Sequence, residues 1–202
     1  MLFRSVRYQL VYKTPKYGND DDYADDFARQ VFEIYYQAIE GRPSPRGATY
    51  HINLLPTTCH IYFGSLTGAL PDGRKAGEPL SEGISPVQGA DTQSPVAVIQ
   101  SAAKLDHLRT GGTLLNQKFS PSFFETPESI EKLGQLIRTY FRMQGHHIQF
   151  NVVSAQTLRQ AQKQPEKYKD LIVRVAGYSD YFNDLIVPLQ DEIIKRTEQN
   201  AI

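Results

Sequence analysis

The sequence has little cysteine and no net charge, and each shortage excludes something. A single cysteine, Cys59, among 202 residues leaves no material for a disulfide framework or a Cys-rich zinc site. Lys plus Arg and Asp plus Glu each number 22, so the basic excess with which nucleic-acid binders neutralise phosphates is missing. No apolar run approaches the roughly 18–20 residues of a membrane span. The opening Met1-Leu2-Phe3-Arg4-Ser5-Val6-Arg7 has no apolar stretch of signal-peptide length. No glycine-rich loop runs into Lys-Ser or Lys-Thr, the arrangement that cradles nucleotide phosphates. The expectation is a cytoplasmic protein with neither nucleic-acid nor membrane partners. The length suits one sizeable domain or two small ones, and no internal repeat is visible.

What is present reads as helices alternating with strands, hence an α/β fold. Asp20, Asp21, Asp22, Asp25 and Asp26 precede Phe27, Val31, Phe32, Ile34, Tyr35, Ala38 and Ile39 at helical spacing. Acids in a first helical turn suit the positive end of the dipole, and Gly41-Arg42-Pro43 ends the pattern. Residues 49–63 predict one or two short buried strands, interrupted by Pro56. Residues 68–89 form a long turn-rich loop, which in a compact protein is functional or held by a partner surface. A helix is expected over residues 95–108 and a strand over 113–119. Thr126-Pro127-Glu128 reads as a cap with proline in the first turn of a helix reaching about residue 143. Ile148-Gln149-Phe150-Asn151-Val152-Val153 alternates like a strand, and Ser154 caps a helix to about residue 164. Leu171-Ile172-Val173 is a short apolar run, and Val187-Pro188-Leu189 opens a last helix whose apolar face includes Ile193 and Ile194.

Most local constellations have an ordinary structural reading. The acid run is explained by helix-end electrostatics without a metal ion. Gly145-His146-His147 lacks a second ligand pair at metal spacing. Asp106-His107 could be half of a triad, but no serine stands in a nucleophile elbow. Cys59 and His60, as neighbours on a strand, would point to opposite faces and not pair as nucleophile and base, so Cys59 is read as structural.

Residues 171–182 differ. An apolar strand runs directly into Ala176-Gly177-Tyr178, which alone would be a glycine at a tight turn. Yet Arg174-Val175-Ala176-Gly177-Tyr178-Ser179, with Phe182 beyond, resembles the glycyl radical signature of the pyruvate formate-lyase family. The resemblance is colinear. It extends to Pro165-Glu166-Lys167-Tyr168, to residues 145–152, to Ala69-Leu70-Pro71-Asp72-Gly73-Arg74-Lys75-Ala76-Gly77, to residues 81–89 and to the ending Ile193-Ile194-Lys195-Arg196-Thr197-Glu198. It covers about residues 14–198. Residues 111–119 resemble the glycerol and diol dehydratase-like, C–N lyase branch more than pyruvate formate-lyase itself.

The resemblance implies the following. The fold is the C-terminal portion of a ten-stranded glycyl radical enzyme α/β barrel with its glycyl radical loop domain. Residues 1–13 are a start without clear family features, 14–125 the end of the barrel domain and 126–202 the glycine radical domain. Gly177 is the radical-bearing catalytic residue, and Arg174, Val175, Ala176, Tyr178 and Ser179 line its loop as shielding neighbours. Asp180 stands where many relatives carry a small residue. No bound cofactor or metal is implied; the radical is installed by an activating enzyme that uses S-adenosylmethionine and an iron–sulfur cluster. It passes to a cysteine, not Cys59, in a part of the enzyme absent here. The implied reaction is radical C–O or C–N elimination on a small polar molecule. Implied partners are the activating enzyme, the remaining N-terminal half or a related full-length enzyme, the substrate and, at full length, further copies in a homo-oligomer. Two other readings stay open: a stand-alone spare part that repairs an oxygen-cleaved pyruvate formate-lyase-like enzyme (a formate acetyltransferase), and an inactive binding chain.

Overall fold

The computed structural model describes residues 2–202, and its elements follow the local signals with a few instructive exceptions. Helices α1 (Leu2–Tyr12) and α2 (Asp22–Ile39) open the chain. Asp21 caps α2 by accepting the Ala24 N–H at 3.1 Å. Asp20, Asp22 and Asp25 gather on the Lys104 ammonium at 2.9, 2.8 and 2.8 Å. Burial works against that charge, but hydrogen bonds to the three carboxylates hold Lys104 above its ordinary range. The acid run thus pins α2 to the rest of the chain as well as serving its helix end.

Helix α3 (Cys59–Leu66) corrects the strand expected over residues 49–63. Leu54 does make an isolated parallel bridge with Thr113. Beyond it, Pro56 cannot continue a ladder and Thr57 takes a positive φ of 53°. The Cys59 N–H then donates to the Pro56 carbonyl at 2.9 Å, which turns the chain into the helix. Helix α4 (Pro95–Ala103) is capped by Ser94 and ends earlier than expected, with a separate 3₁₀ turn over His107–Arg109. Next come β1 (Leu115–Phe119), α5 (Pro127–Arg142), β2 (Ile148–Val152) and α6 (Ala155–Lys163). Thr126 and Ser154 cap α5 and α6 as their types predict, accepting the Ser129 and Thr157 N–H groups at 3.3 and 3.0 Å. The chain closes with β3 (Ile172–Arg174), β4 (Ser179–Tyr181), α7 (Val187–Lys195) and β5 (Glu198–Gln199). Helix α1 and strands β4 and β5 had no clear sequence signal.

The central sheet is parallel, in the order β2-β1-β5. Its register sets Leu115 opposite Ile148, Asn116 opposite Gln149 and Lys118 opposite Asn151. Because side chains alternate across a strand, one face is mainly apolar and the other polar. Leu115, Phe119, Ile148 and Phe150 pack with Val98, Ile99 and Ala102 of α4 and Leu136 and Tyr140 of α5. Asn116, Lys118, Gln149 and Asn151 lie on the opposite face, and all four are buried. That face is covered by α7 and by the antiparallel β3–β4 hairpin, whose own core joins Val173, Val175, Ala176, Phe182, Leu189 and Ile193 to Leu158 and Ala161 of α6. Lys118 reaches under α7 to donate to the Ile194 carbonyl at 2.9 Å, a cation at a helix C-terminus. Its burial pulls the amine down to about 8.

The long loop is held together by its own arginine. Arg74 is buried, and its guanidinium donates to the carbonyls of Gly64 at 2.7 Å, Gly68 at 2.8 Å and Pro79 at 3.3 Å, and to that of Glu78. Gly64 allows this closure, since a Cβ there would lie 2.4 Å from the Glu78 carbonyl oxygen. Arg74→Ala would strand several buried acceptors at once. The expected loss is about 3 kcal/mol or more in denaturant unfolding, of which Arg74→Lys, with no planar fork, recovers only part.

Two helices keep an open apolar face. Tyr23, Phe27, Val31, Ile34 and Tyr35 on α2, with Tyr62, Phe63 and Leu66 on α3, are all exposed large apolar residues. Contiguous apolar surface of this kind drives association. Light scattering of the isolated chain is expected to show concentration-dependent oligomers, and Val31→Glu with Ile34→Lys to diminish them.

Candidate functional site

Gly177 sits at the tip of the β3–β4 hairpin. Arg174 pairs with Ser179 across the ladder, and the Val175 N–H donates to the Tyr178 carbonyl at 2.9 Å. Four residues therefore make the bend, and Gly177 takes φ of 81°, a conformation that residues with a Cβ rarely adopt. A Cβ added there would meet only Leu114 Cδ1, at 3.8 Å. Glycine is thus required by backbone conformation and not by crowding.

The two flanks of the tip are treated differently. Val175 and Ala176 are buried in the hairpin core, whereas Gly177, Tyr178 and Ser179 are exposed in this chain. The Arg174 guanidinium donates from Nε to Gln149 Oε1 at 2.8 Å and from Nη1 to Ser179 Oγ at 3.3 Å. Asp180, half-buried, accepts the Tyr181 N–H at 2.8 Å. Burial and, next, the Asp180 charge push the Tyr178 phenol above its ordinary value.

Beneath the tip lies the polar face of the sheet. Gln149 Oε1 accepts the Gly177 N–H at 3.1 Å, and Gln149 Nε2 donates to the Val175 carbonyl at 3.3 Å and to Asn116 Oδ1. Asn151 accepts the Arg174 N–H at 2.8 Å and donates to its carbonyl at 2.7 Å. From the other side Arg196 Nη1 donates to the Val175 carbonyl at 3.1 Å. Arg196 in turn grips Glu192, with Nη2 to Oε2 at 2.8 Å. Asn116 Nδ2 donates to Glu82 Oε2, which also accepts Ser85 Oγ at 3.1 Å. The sequence reading missed Gln149, Asn151, Asn116, Glu82 and Arg196. A signal for the first three existed: polar residues at every second position in otherwise apolar strands mean that the second face meets hydrogen-bonding groups.

The other motifs are absorbed into the framework. Cys59 is exposed at the start of α3, not buried, while His60 is buried with Nε2 3.8 Å from Glu192 Oε2. Both belong to one helix, so the strand argument separating them lapses. His107 spends both ring nitrogens on structure, with Nδ1 on Thr113 Oγ1 at 2.8 Å and Nε2 on the Ala102 carbonyl at 2.9 Å. Gly145 lets the chain cross the Tyr140 ring, where a Cβ would come within 2.3 Å.

Residues 80–183 match the family model described as Glycine radical, a span that holds Gly177 and its whole cradle except Glu192 and Arg196. The chain belongs to the glycine radical family. Residues 4–64 match a second model, Pyruvate formate lyase-like. The trans-4-hydroxy-L-proline dehydratase of Clostridioides difficile is 59% identical over 187 residues, covering 93% of this chain and 24% of that protein. A crystal structure of hydroxyproline dehydratase from the same organism, with trans-4-hydroxy-L-proline bound, superposes with a TM-score of 0.96 at 56% identity. It covers 98% of this chain and 25% of that one. A glycerol-bound glycerol dehydratase from Clostridium butyricum gives 0.93 at 46% identity, with the same coverage. The glycine radical chain therefore spans about a quarter of the length of the relatives it matches and corresponds to the C-terminal portion of glycyl radical enzyme barrels. Among its described residues no helix is long and apolar enough to cross a membrane.

Two buried carboxyls below the β3–β4 hairpin have opposite electrostatics. Burial raises Glu82 from 4.5 to about 7, against the lowering pull of Arg196, Asn116 and Ser85. Burial also opposes the Glu192 charge, but Arg196 overrides it and holds that carboxyl at about 2. For Glu82 the folded state binds the proton more tightly, so its contribution to stability is full below about pH 4.5 and is lost as pH rises towards about 7. For Glu192 the contribution is full above about 4.5 and is lost as pH falls towards about 2. Thermal unfolding of Glu82→Gln across these windows should lose the decline between about 4.5 and 7, worth on the order of 3 kcal/mol, and keep the acid limb.

Proposed function

We propose that Gly177 holds a backbone radical and that this chain supplies the radical-bearing C-terminal part of a glycyl radical dehydratase. The observation that carries the reading is the hairpin tip: one glycine, in a conformation reserved for glycine, exposed at the end of a turn whose neighbours are clamped by buried hydrogen bonds. A Cα radical is shared between the adjoining amide nitrogen and carbonyl and needs a flat centre, which the absence of a side chain permits. Residues 126–202 are read as the radical-bearing unit and 14–125 as the end of the barrel domain, with the parallel sheet running through both.

The radical is installed by an activating enzyme that uses S-adenosylmethionine and an iron–sulfur cluster and removes one hydrogen atom from the Gly177 Cα. That position is open in this chain, and the remainder of the enzyme is the cover that keeps water and oxygen away. Gly177 then takes a hydrogen atom from a cysteine thiol in that remainder. The thiyl so formed removes a hydrogen atom from the substrate, the adjacent hydroxyl leaves as water with a proton that the substrate radical gives up from its own O–H or N–H through acid and base carboxyls of the remainder, and the thiol returns a hydrogen atom to the product radical. The high identity to a trans-4-hydroxy-L-proline dehydratase favours a small hydroxylated substrate of that kind. Cys59 is not assigned the thiyl role. Arg174, Val175, Ala176, Tyr178 and Ser179 hold and flank the tip.

Anoxic incubation with a glycyl-radical activating enzyme should give an organic radical signal by electron paramagnetic resonance. Gly177→Ala should abolish it while still folding, because its new Cβ meets nothing closer than 3.8 Å and the strained φ costs about 1–2 kcal/mol. Admitting air after activation should cut the chain at Gly177, as read by mass spectrometry. A signal that survives in Gly177→Ala would sink the assignment.

A further inference from the structure

We propose that Gln149 is the positioning residue that sets the geometry of the Gly177 amide, through a polarised hydrogen-bond chain anchored at Glu82. The inference rests on the reading of Gly177 as the radical residue and deepens it. The chain runs Glu82–Asn116–Gln149–Gly177, and its direction is dictated at the tip. Glu82 offers an accepting carboxyl oxygen whether or not it carries a proton, and Asn116 presents Nδ2 to it and its oxygen to Gln149. Gln149 must then donate to Asn116 and turn its own oxygen to the tip. There the Arg174 Nε–H and the Gly177 N–H are pure donors, at 2.8 and 3.1 Å from that oxygen. No amide in the series can be reversed without setting donor against donor or acceptor against acceptor.

Gln149 is also placed to act on both sides of the glycine. Its oxygen holds the Gly177 N–H while its nitrogen holds the Val175 carbonyl, which Arg196 holds as well. When Gly177 loses a hydrogen atom its Cα flattens, and the peptide groups around it would swing unless restrained. The Gly177 nitrogen shares the unpaired electron, so the direction of its N–H is a property of the radical and not only of the fold. Gln149 and Asn116 are buried, at 5% and 9% exposure, so water cannot replace them cheaply. Gly177 itself is exposed, and an exposed glycine amide would otherwise exchange freely.

The test uses this chain with Gln149→Leu and Asn116→Leu, read first without any radical. Amide hydrogen exchange should show Gly177 protected in the wild type. Gln149→Leu should lose about tenfold of that protection, as for removal of one hydrogen bond to a buried partner. Asn116→Leu, which touches Gly177 only through Gln149, should lose part of it. The amides of β1 and β2 should keep theirs in at least one variant. After anoxic activation, Gln149→Leu should give a glycyl signal with altered hyperfine splitting and about several-fold faster anoxic decay. Unchanged Gly177 exchange and an unchanged signal would overturn the proposal. So would collapse of β1 and β2 protection in both variants, which would make the chain merely structural. Absence of any radical in the wild type would instead overturn the Gly177 reading, and the exchange result would still decide whether Gln149 sets that amide.

Discussion

The constraint on which the rest depends is the burial of a polar sheet face. Asn116, Lys118, Gln149 and Asn151 lie in two adjacent parallel strands and are all removed from water. Unpaired, each would cost a few kcal/mol. Asn116, Gln149 and Asn151 are paired by the hairpin backbone and one another, and Lys118 by the carbonyls at the end of α7. Apolar packing could tolerate a hairpin shifted by an ångström; this set of donors and acceptors cannot. The position of Gly177 is therefore set by hydrogen-bond satisfaction, while Val175 and Ala176 supply the apolar anchoring.

This division explains why a glycine can be both exposed and well defined. The tip is held from below by Gln149 and from the side by Arg196, itself gripped by a Glu192 carboxylate whose pKa that arginine holds down at about 2. Among the described residues nothing covers the tip from above, and Gly177 is exposed. The open apolar faces of α2 and α3 share that character, being built from Phe27, Val31, Tyr62 and Phe63 with no counterpart here. Both fit a chain that spans about a quarter of the length of its relatives.

Much of the helical framework was legible in the sequence because its causes are local. Thr126, Ser154 and Asp21 cap helices through contacts three residues long. The strand expected over residues 49–63 failed because apolar composition does not distinguish a short strand from a short buried helix, and the deciding features were a proline and the positive φ of Thr57. Strand β5 carries no propensity signal; it exists because β1 offers a free edge to a chain returning from α7. The loop over residues 68–89, expected to be functional or held by a partner surface, also has an internal clasp that no local pattern announces, a buried arginine on its carbonyls.

The sequence by itself determined the family, because Arg174-Val175-Ala176-Gly177-Tyr178-Ser179 is a contiguous motif that resembles the family's signature, and it singled out Gly177 as the residue proposed to hold the radical. The tertiary structure alone decided how that glycine is held. Glu82, Asn116, Gln149 and Arg196 are separated from Gly177 by 19 to 95 positions. They meet it only because β1 and β2 align in one register and α7 brings Arg196 beneath the turn. Side-chain hydrogen bonds reach about 3 Å, so such a cradle is a product of packing and leaves no local pattern strong enough to announce it.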